Sequence, residues 1–227
     1  MGSQGFDTLK EMLKLRCGNR ADLEGAGDSS LNYYGIWINS AYRELCTQTN
    51  ILGFKKKLYF PQLMSSTTDT TTDGTAYVDV PSDCLYITEV FDTTNGRKLD
   101  QIQWKEYIEY TDRTTATAEG DATEWARYGS YIYLHPTPST TGDTITIYYK
   151  KLVADLSGTQ TTIIGAEWDD AIVELAANRA FHWLHEYDKA KACKEAFLEI
   201  SAGLADMYFL EEKDSDHSFD PTIYLGK

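Results

Sequence analysis

The stretch "YGSYIYLHPTPSTTGDTITIYYKK", residues 128–151, decides the fold class. Gly129-Ser130 reads as a tight turn, and Pro136 and Pro138 end a strand. "TITIYYKKL" (144–152) then sets Ile145 and Ile147 against threonines with the two-residue period of a pleated strand. The two strands are expected to pair as a hairpin, with Tyr131, Tyr133 and Tyr148 shared between its two faces.

Upstream, the pattern stays β-like back to Asn50. "KKLYF" (56–60), "AYVDV" (76–80) and "CLYITEVFD" (84–92) are short, rich in aromatic and β-branched residues, and bounded by Pro, Gly or Asn-Gly. "SSTTDTTTDGT" (65–75) reads as a mobile loop between the first two. Asp100 is placed to cap a short helix, "QIQWKEYIEY", with Trp104, Tyr107 and Ile108 over the sheet, and 111–123 is a polar connector.

Both ends of the chain have helical periodicity. Residues 6–16 place Phe6, Leu9, Met12 and Leu13 on one face, with Gly18-Asn19 as the stop. Asp28-Ser29-Ser30 offers a cap for "LNYYGIWINSAYRELCTQTN", where Leu31, Tyr34, Ile38, Ala41, Tyr42 and Leu45 form a stripe. After "SGTQTT", "EWDDAIVELAANRAFHWLHEY" aligns Trp168, Ile172, Leu175, Ala176, Arg179 and Trp183. "DKAKACKEAFLEISAGLADMYFLEE" repeats the arrangement with Cys193, Phe197, Ile200, Leu204 and Met207, with Asp188 as its cap. The short connection between the two predicts an antiparallel αα-hairpin.

The expected fold class is therefore α+β: a discontinuous helical bundle interrupted by a β-rich insertion, with an extended C-terminal arm. The corresponding domains are 1–54 with 160–212, then 55–159, then an arm over 213–227.

The net charge of −14 removes any sequence-independent grip on nucleic-acid phosphates, which depends on cationic contacts. Cys17, Cys46, Cys84 and Cys193 have no paired spacing, so neither a zinc site nor a disulfide framework is indicated. At 227 residues the chain can bury a core without either. Residues 1–16 lack the apolar core of a signal peptide, Phe6 stands where a myristoylation signal needs Ser or Thr, and no run is long and apolar enough for a membrane span. Synthesis in the host cytoplasm is the expectation, with no membrane and no cofactor.

Two stretches imitate metal sites. In "HWLHEYD", His182, His185 and Glu186 are ordered H-x-x-H-E, whereas zinc peptidases need H-E-x-x-H or H-x-x-E-H to aim a carboxylate at the metal-bound water. Asp69, Asp73 and Gly74 resemble a calcium loop, but Thr71 and Val80 occupy two ligand positions. Lys55-Lys56-Lys57 reads as protection of a strand edge. No nucleophile elbow or phosphate-binding glycine loop is present, and no enzyme is expected. The 16 tyrosines either fill a thin sheet core or form a surface that partners cover.

The order of elements resembles the head–tail adaptor (connector) proteins of tailed bacteriophages. The likeness rests on "LNYYGIWINSAYRELC", on "YIYLHPTPS" followed by "TITIYYKK", and on "WDDAIVELAANRAFHWL…AKACKEAFLEI". It implies a structural virion protein of the neck, a homo-oligomeric ring of twelve copies between the portal protein and a tail or nozzle protein. DNA would pass through without specific binding. It also implies that the helices form the ring body, the insertion an outward or tailward surface, and the arm, with Phe219, Ile223, Tyr224 and Leu225, a portal-docking element. The alternative from a different class is a glycan-binding tail module built on the β insertion.

Overall fold

The computed structural model describes residues 4–25, 32–47, 51–54, 58, 60–113 and 119–215. The fold is mixed α+β, with five α-helices and one seven-stranded sheet among these residues. The chain divides into two compact units, Met1–Phe60 with Ala154–Lys227, and Pro61–Val153.

In the first unit, α1 (Phe6–Arg16) buries Phe6, Leu9 and Leu13 and stops where Gly18 and Asn19 turn left-handed, at φ 79° and 55°. Helix α2 (Tyr33–Thr47) starts at Asn32, whose side-chain oxygen accepts the Gly35 N–H at 3.1 Å. The expected cap at Asp28-Ser29-Ser30 lies outside the described residues. Glycine at 35 allows close approach to α1, since a Cβ there would meet the Phe6 ring at 3.1 Å.

Helix α4 (Asp169–Trp183) contacts α1, α2 and α5 (Tyr187–Ser215). It is buried well beyond a single stripe: Val173, Ala177 and Phe181 are enclosed along with Ile172, Leu175 and Ala176. Trp183, at the end of the helix, is half exposed, yet its ring packs against Tyr33 and Trp37 of α2, on the expected face. Asn178 Nδ2 donates to the Ala190 carbonyl (2.7 Å), while Glu174, one turn earlier, reaches Cys193. This pairing of descending with ascending numbers makes α4 and α5 antiparallel. Asp188 lies inside the first turn of α5 rather than capping it, where its charge still favours the positive end of the dipole. The side chain of Met207 lies outside the described residues.

The extended run after Val153 is fixed to α1 and α2 by hydrogen bonds rather than by a strand ladder. Phe6 N–H donates to the Gln160 carbonyl (2.8 Å), and Asn39 bonds both backbone groups of Leu156. The Tyr42 hydroxyl accepts the Ile163 N–H (3.2 Å). Asp169, buried at the start of α4, accepts the Gln4 N–H (2.7 Å) and the Thr162 hydroxyl (3.2 Å).

The second unit holds β1 (Met64–Thr70), β2 (Tyr77–Asp79), β3 (Cys84–Asp92), β4 (Arg97–Gln101), α3 (Trp104–Arg113), β5 (Glu124–Tyr128), β6 (Tyr131–His135) and β7 (Thr144–Lys151). The strand order is β1-β7-β3-β4-β5-β6-β2, antiparallel except for β4 with β5. The edge strands come back together where the Asp79 N–H donates to the Asp69 carboxylate (3.0 Å), so the sheet is nearly closed. Its core is mostly aliphatic, built from Val78, Val90, Leu99, Ile132, Leu134, Ile145 and Ile147 around Trp125.

Four expectations are corrected here. The run 65–75 is not all loop: its first half is β1, paired residue for residue with β7, because threonine suits a pleated edge even without apolar alternation. Asp100 is a β4 residue, and α3 begins at Trp104. Ile108 is exposed rather than packed on the sheet. The strands of 128–151 do not pair with one another: β6 lies between β5 and β2, and β7 between β1 and β3. The tight turn at Gly129-Ser130 joins β5 to β6, with Gly129 at φ 61°. Most of "KKLYF", together with Lys55 before it, lies outside the described residues.

Candidate functional site

The most distinctive surface is aromatic and belongs to the second unit. Strand alternation turns Ile132 and Leu134 of β6 inward, so Tyr131, Tyr133 and His135 share the outer face. Tyr148 likewise alternates with buried Ile147 and Tyr149, so the expectation that Tyr131, Tyr133 and Tyr148 are shared between two faces fails. Beside them, Val78 of β2 points inward and Tyr77 and Asp79 point outward, with Tyr77 registered against Tyr133 and Asp79 against Tyr131. Helix α3 contributes Trp104 and Tyr107, and β5 contributes Tyr128.

These rings form one connected series. Tyr131 meets Tyr77 at 4.6 Å between centroids, Tyr77 meets Tyr133 at 5.8 Å, and Tyr133 meets Trp104 at 4.9 Å. Trp104 lies parallel to Tyr128 at 4.4 Å and to Tyr107 at 5.1 Å. Tyr107 is buried, and that burial raises its phenol pKa above the ordinary value. Tyr77, Tyr128 and Tyr131 remain 43, 56 and 39 % exposed. The tyrosines of this unit thus lie mainly outside its core, in which Tyr149 is the tyrosine represented.

Carboxylates flank this outer face at the Tyr131 and His135 ends of β6, since Asp79 is registered against Tyr131 and Glu124 against His135. Asp79 and Asp69 meet at the Tyr131 end. At the other, Glu124 faces His135 at 3.3 Å, Tyr110 stacks on His135 at 5.0 Å, and the Tyr110 hydroxyl donates to Glu106 at 3.1 Å. An open cavity of about 430 Å³ beside Trp104 is lined by Gln101, Ile102, Gln103 and Arg127.

The residues of both metal imitations are engaged with other partners. Helix α4 ends at Trp183, so His185 leaves it with φ 59°, and the two histidines do not share a helical face. His182 packs edge-on against Tyr187, His185 Nδ1 pairs with the Tyr187 hydroxyl at 3.1 Å, and Glu186 pairs with Lys189 at 2.6 Å. Asp69 is engaged by the N–H groups of Thr70 (2.8 Å) and Asp79. Among the described residues, no three His, Cys, Asp or Glu side chains converge as metal ligands, and no helix is long and apolar enough to cross a membrane. The arm residues Phe219, Ile223, Tyr224 and Leu225 lie outside the described residues. The aromatic series itself was hidden from the sequence reading, although the i, i+2 spacing of Tyr131 and Tyr133 was its signal.

A model of the SU10 adaptor protein family matches residues 6–222, spanning both units. The chain belongs to the SU10 adaptor protein family. This is an adaptor family of tailed phages, and the resemblance to head–tail adaptors is borne out; as a member, the chain is a bacteriophage structural protein that associates with other head or tail components of the virion. Among curated proteins, none matches the chain.

Proposed function

We propose that copies of this adaptor form a ring, twelve per virion, between the portal protein and the next tail or nozzle protein, leaving a channel through which DNA passes without specific binding. The observation that carries this reading is the family match over residues 6–222, which takes in both units and most of the C-terminal arm. The unit containing α1, α2, α4 and α5 is the ring body, acting as one discontinuous domain, and the β-rich unit is the outward or tailward surface. Phe219, Ile223, Tyr224 and Leu225 dock the arm on the portal, by insertion into a groove or by strand addition. Each arm needs only modest affinity, because many copies act together. The charge of −14 suits a conduit, since carboxylates along a channel repel phosphates. No catalytic step is assigned.

The test is deletion of 214–227. The truncated chain should fold with an unchanged circular dichroism spectrum and fail to join portal-bearing heads. Normal attachment of the truncated chain would show that the arm does not dock.

A further inference from the structure

We propose that the outer aromatic face of the β-rich unit binds a basic, arginine-bearing segment of a different protein. This deepens the adaptor reading by giving the chemistry of one partner. It rests on that reading only for where the partner stands in the virion, since the contact itself can be tested with purified chain.

The first support is geometric. Tyr77, Tyr131 and Tyr128 present half-exposed rings that their neighbours already hold in place, through centroid contacts of 4.6 Å for Tyr77 with Tyr131 and 4.4 Å for Tyr128 with Trp104. Rings fixed before binding lose little rotamer entropy when a partner covers them. An aromatic face carries negative potential, and the planar, weakly hydrated guanidinium stacks on it better than other cations do. Among the described residues, the cations that lie over rings do so at Phe6, Tyr86 and Phe181 rather than on this series.

The second support is charge. Asp79 shares the outer face with Tyr77 and stands across from Tyr131, and Asp69 is joined to it through the backbone. Glu124 and Glu106 flank the far end beside His135 and Tyr110. Arg127 stands beside Trp104, but the carboxylates outnumber it along this face, and an aromatic floor flanked by carboxylates is complementary to a chain of alternating cationic and apolar groups. Face-to-face pairing with a second copy would set Asp79 and Glu124 against the same carboxylates, so self-pairing of this face is repulsive. Nucleic-acid phosphates are repelled for the same reason.

The experiment uses the full-length chain and a fluorescent decapeptide of alternating arginine and proline, followed by polarisation. Controls are a glutamate–proline counterpart, maltoheptaose as competitor, and sedimentation of the chain alone. The arginine peptide should bind and the glutamate peptide should not. Tyr77→Ala, Tyr131→Ala and Asp79→Lys should each weaken binding by about tenfold. All three positions are exposed, so folding should survive. Tyr148→Ala, another exposed tyrosine of the same unit outside the series, should leave binding unchanged. Raising salt from about 50 to about 300 mM should weaken it further. Absence of arginine-peptide binding, or equal loss in Tyr148→Ala, overturns the proposal. So does displacement of the peptide by maltoheptaose, which would make the face a glycan site. Self-association abolished by Tyr131→Ala also overturns it, as the face would then belong to a second copy.

Discussion

Asn39 of α2 grips Leu156 through both halves of its amide: Oδ1 accepts the Leu156 N–H at 2.8 Å and Nδ2 donates to its carbonyl at 3.1 Å. The residues are 117 positions apart, and the intervening chain makes the β-rich unit. One side chain thus supplies the pairing that a strand would otherwise give to an extended segment.

Asn39→Ala should therefore cost about 1–3 kcal/mol, because it strands a partly buried N–H and carbonyl together. Urea denaturation followed by circular dichroism measures this. Asn39→Asp should recover part of the loss, since a carboxylate still accepts the N–H, whereas an alanine-like loss would show that the donated bond to the carbonyl dominates.

Arg179 of α4 bonds Ser40 and Glu44 of α2. Arg179→Met should destabilise by about 3 kcal/mol, because it leaves the largely buried Glu44 without its counter-charge. The double variant Arg179→Met with Glu44→Leu should be more stable than the single one. A double-mutant cycle in urea gives the coupling.

Alkaline pH should loosen the helical unit. Burial foremost, then the charge of Glu186, pushes the Cys17 thiol up to about 11; burial and then Glu174 push Cys193 to about 11. Burial likewise raises the Tyr34 and Tyr42 phenols to about 12. Each folded-state value lies above the unfolded one, so the unfolded chain gives up these protons first. The stability these groups supply is fully present below the ordinary thiol and phenol values, about 9 and 10, and is lost as pH rises through about 11 and 12. Melting temperature should be flat in this respect up to about pH 8.5 and fall above it. A flat profile to pH 11 would contradict the burial of these groups.

The same burial orders thiol reactivity. Cys17, Cys46 and Cys193 are buried and Cys84 is half-buried. Iodoacetamide at neutral pH should label Cys84 first and the others only on unfolding, as peptide mass mapping would show.

The elements legible in the sequence were those whose period matched their burial. The α2 stripe of Tyr34, Ile38, Ala41, Tyr42 and Leu45, and the alternation of Ile145 and Ile147 in β7, are read directly from spacing. Strand β1 was not legible, because its Ser, Thr and Asp residues have no apolar rhythm and its conformation comes from pairing with β7. Strand β4 has Leu99 as its buried residue, and its neighbours on both sides create it. Sheet order was the least accessible feature: β6 and β7 follow one another in the chain yet are separated in the sheet by β3, β4 and β5, with β2 paired to β6 and β1 to β7 at the two edges. The aromatic site depends on that order, because Tyr77 and Tyr133 become neighbours only through the β2–β6 pairing.

The most direct test of the central claim is electron microscopy of purified chain mixed with its portal protein. A closed ring of copies should appear coaxial with the portal, with a central opening and the C-terminal arms at the portal interface. Portal particles left bare, or chains attached without a common axis, would contradict it.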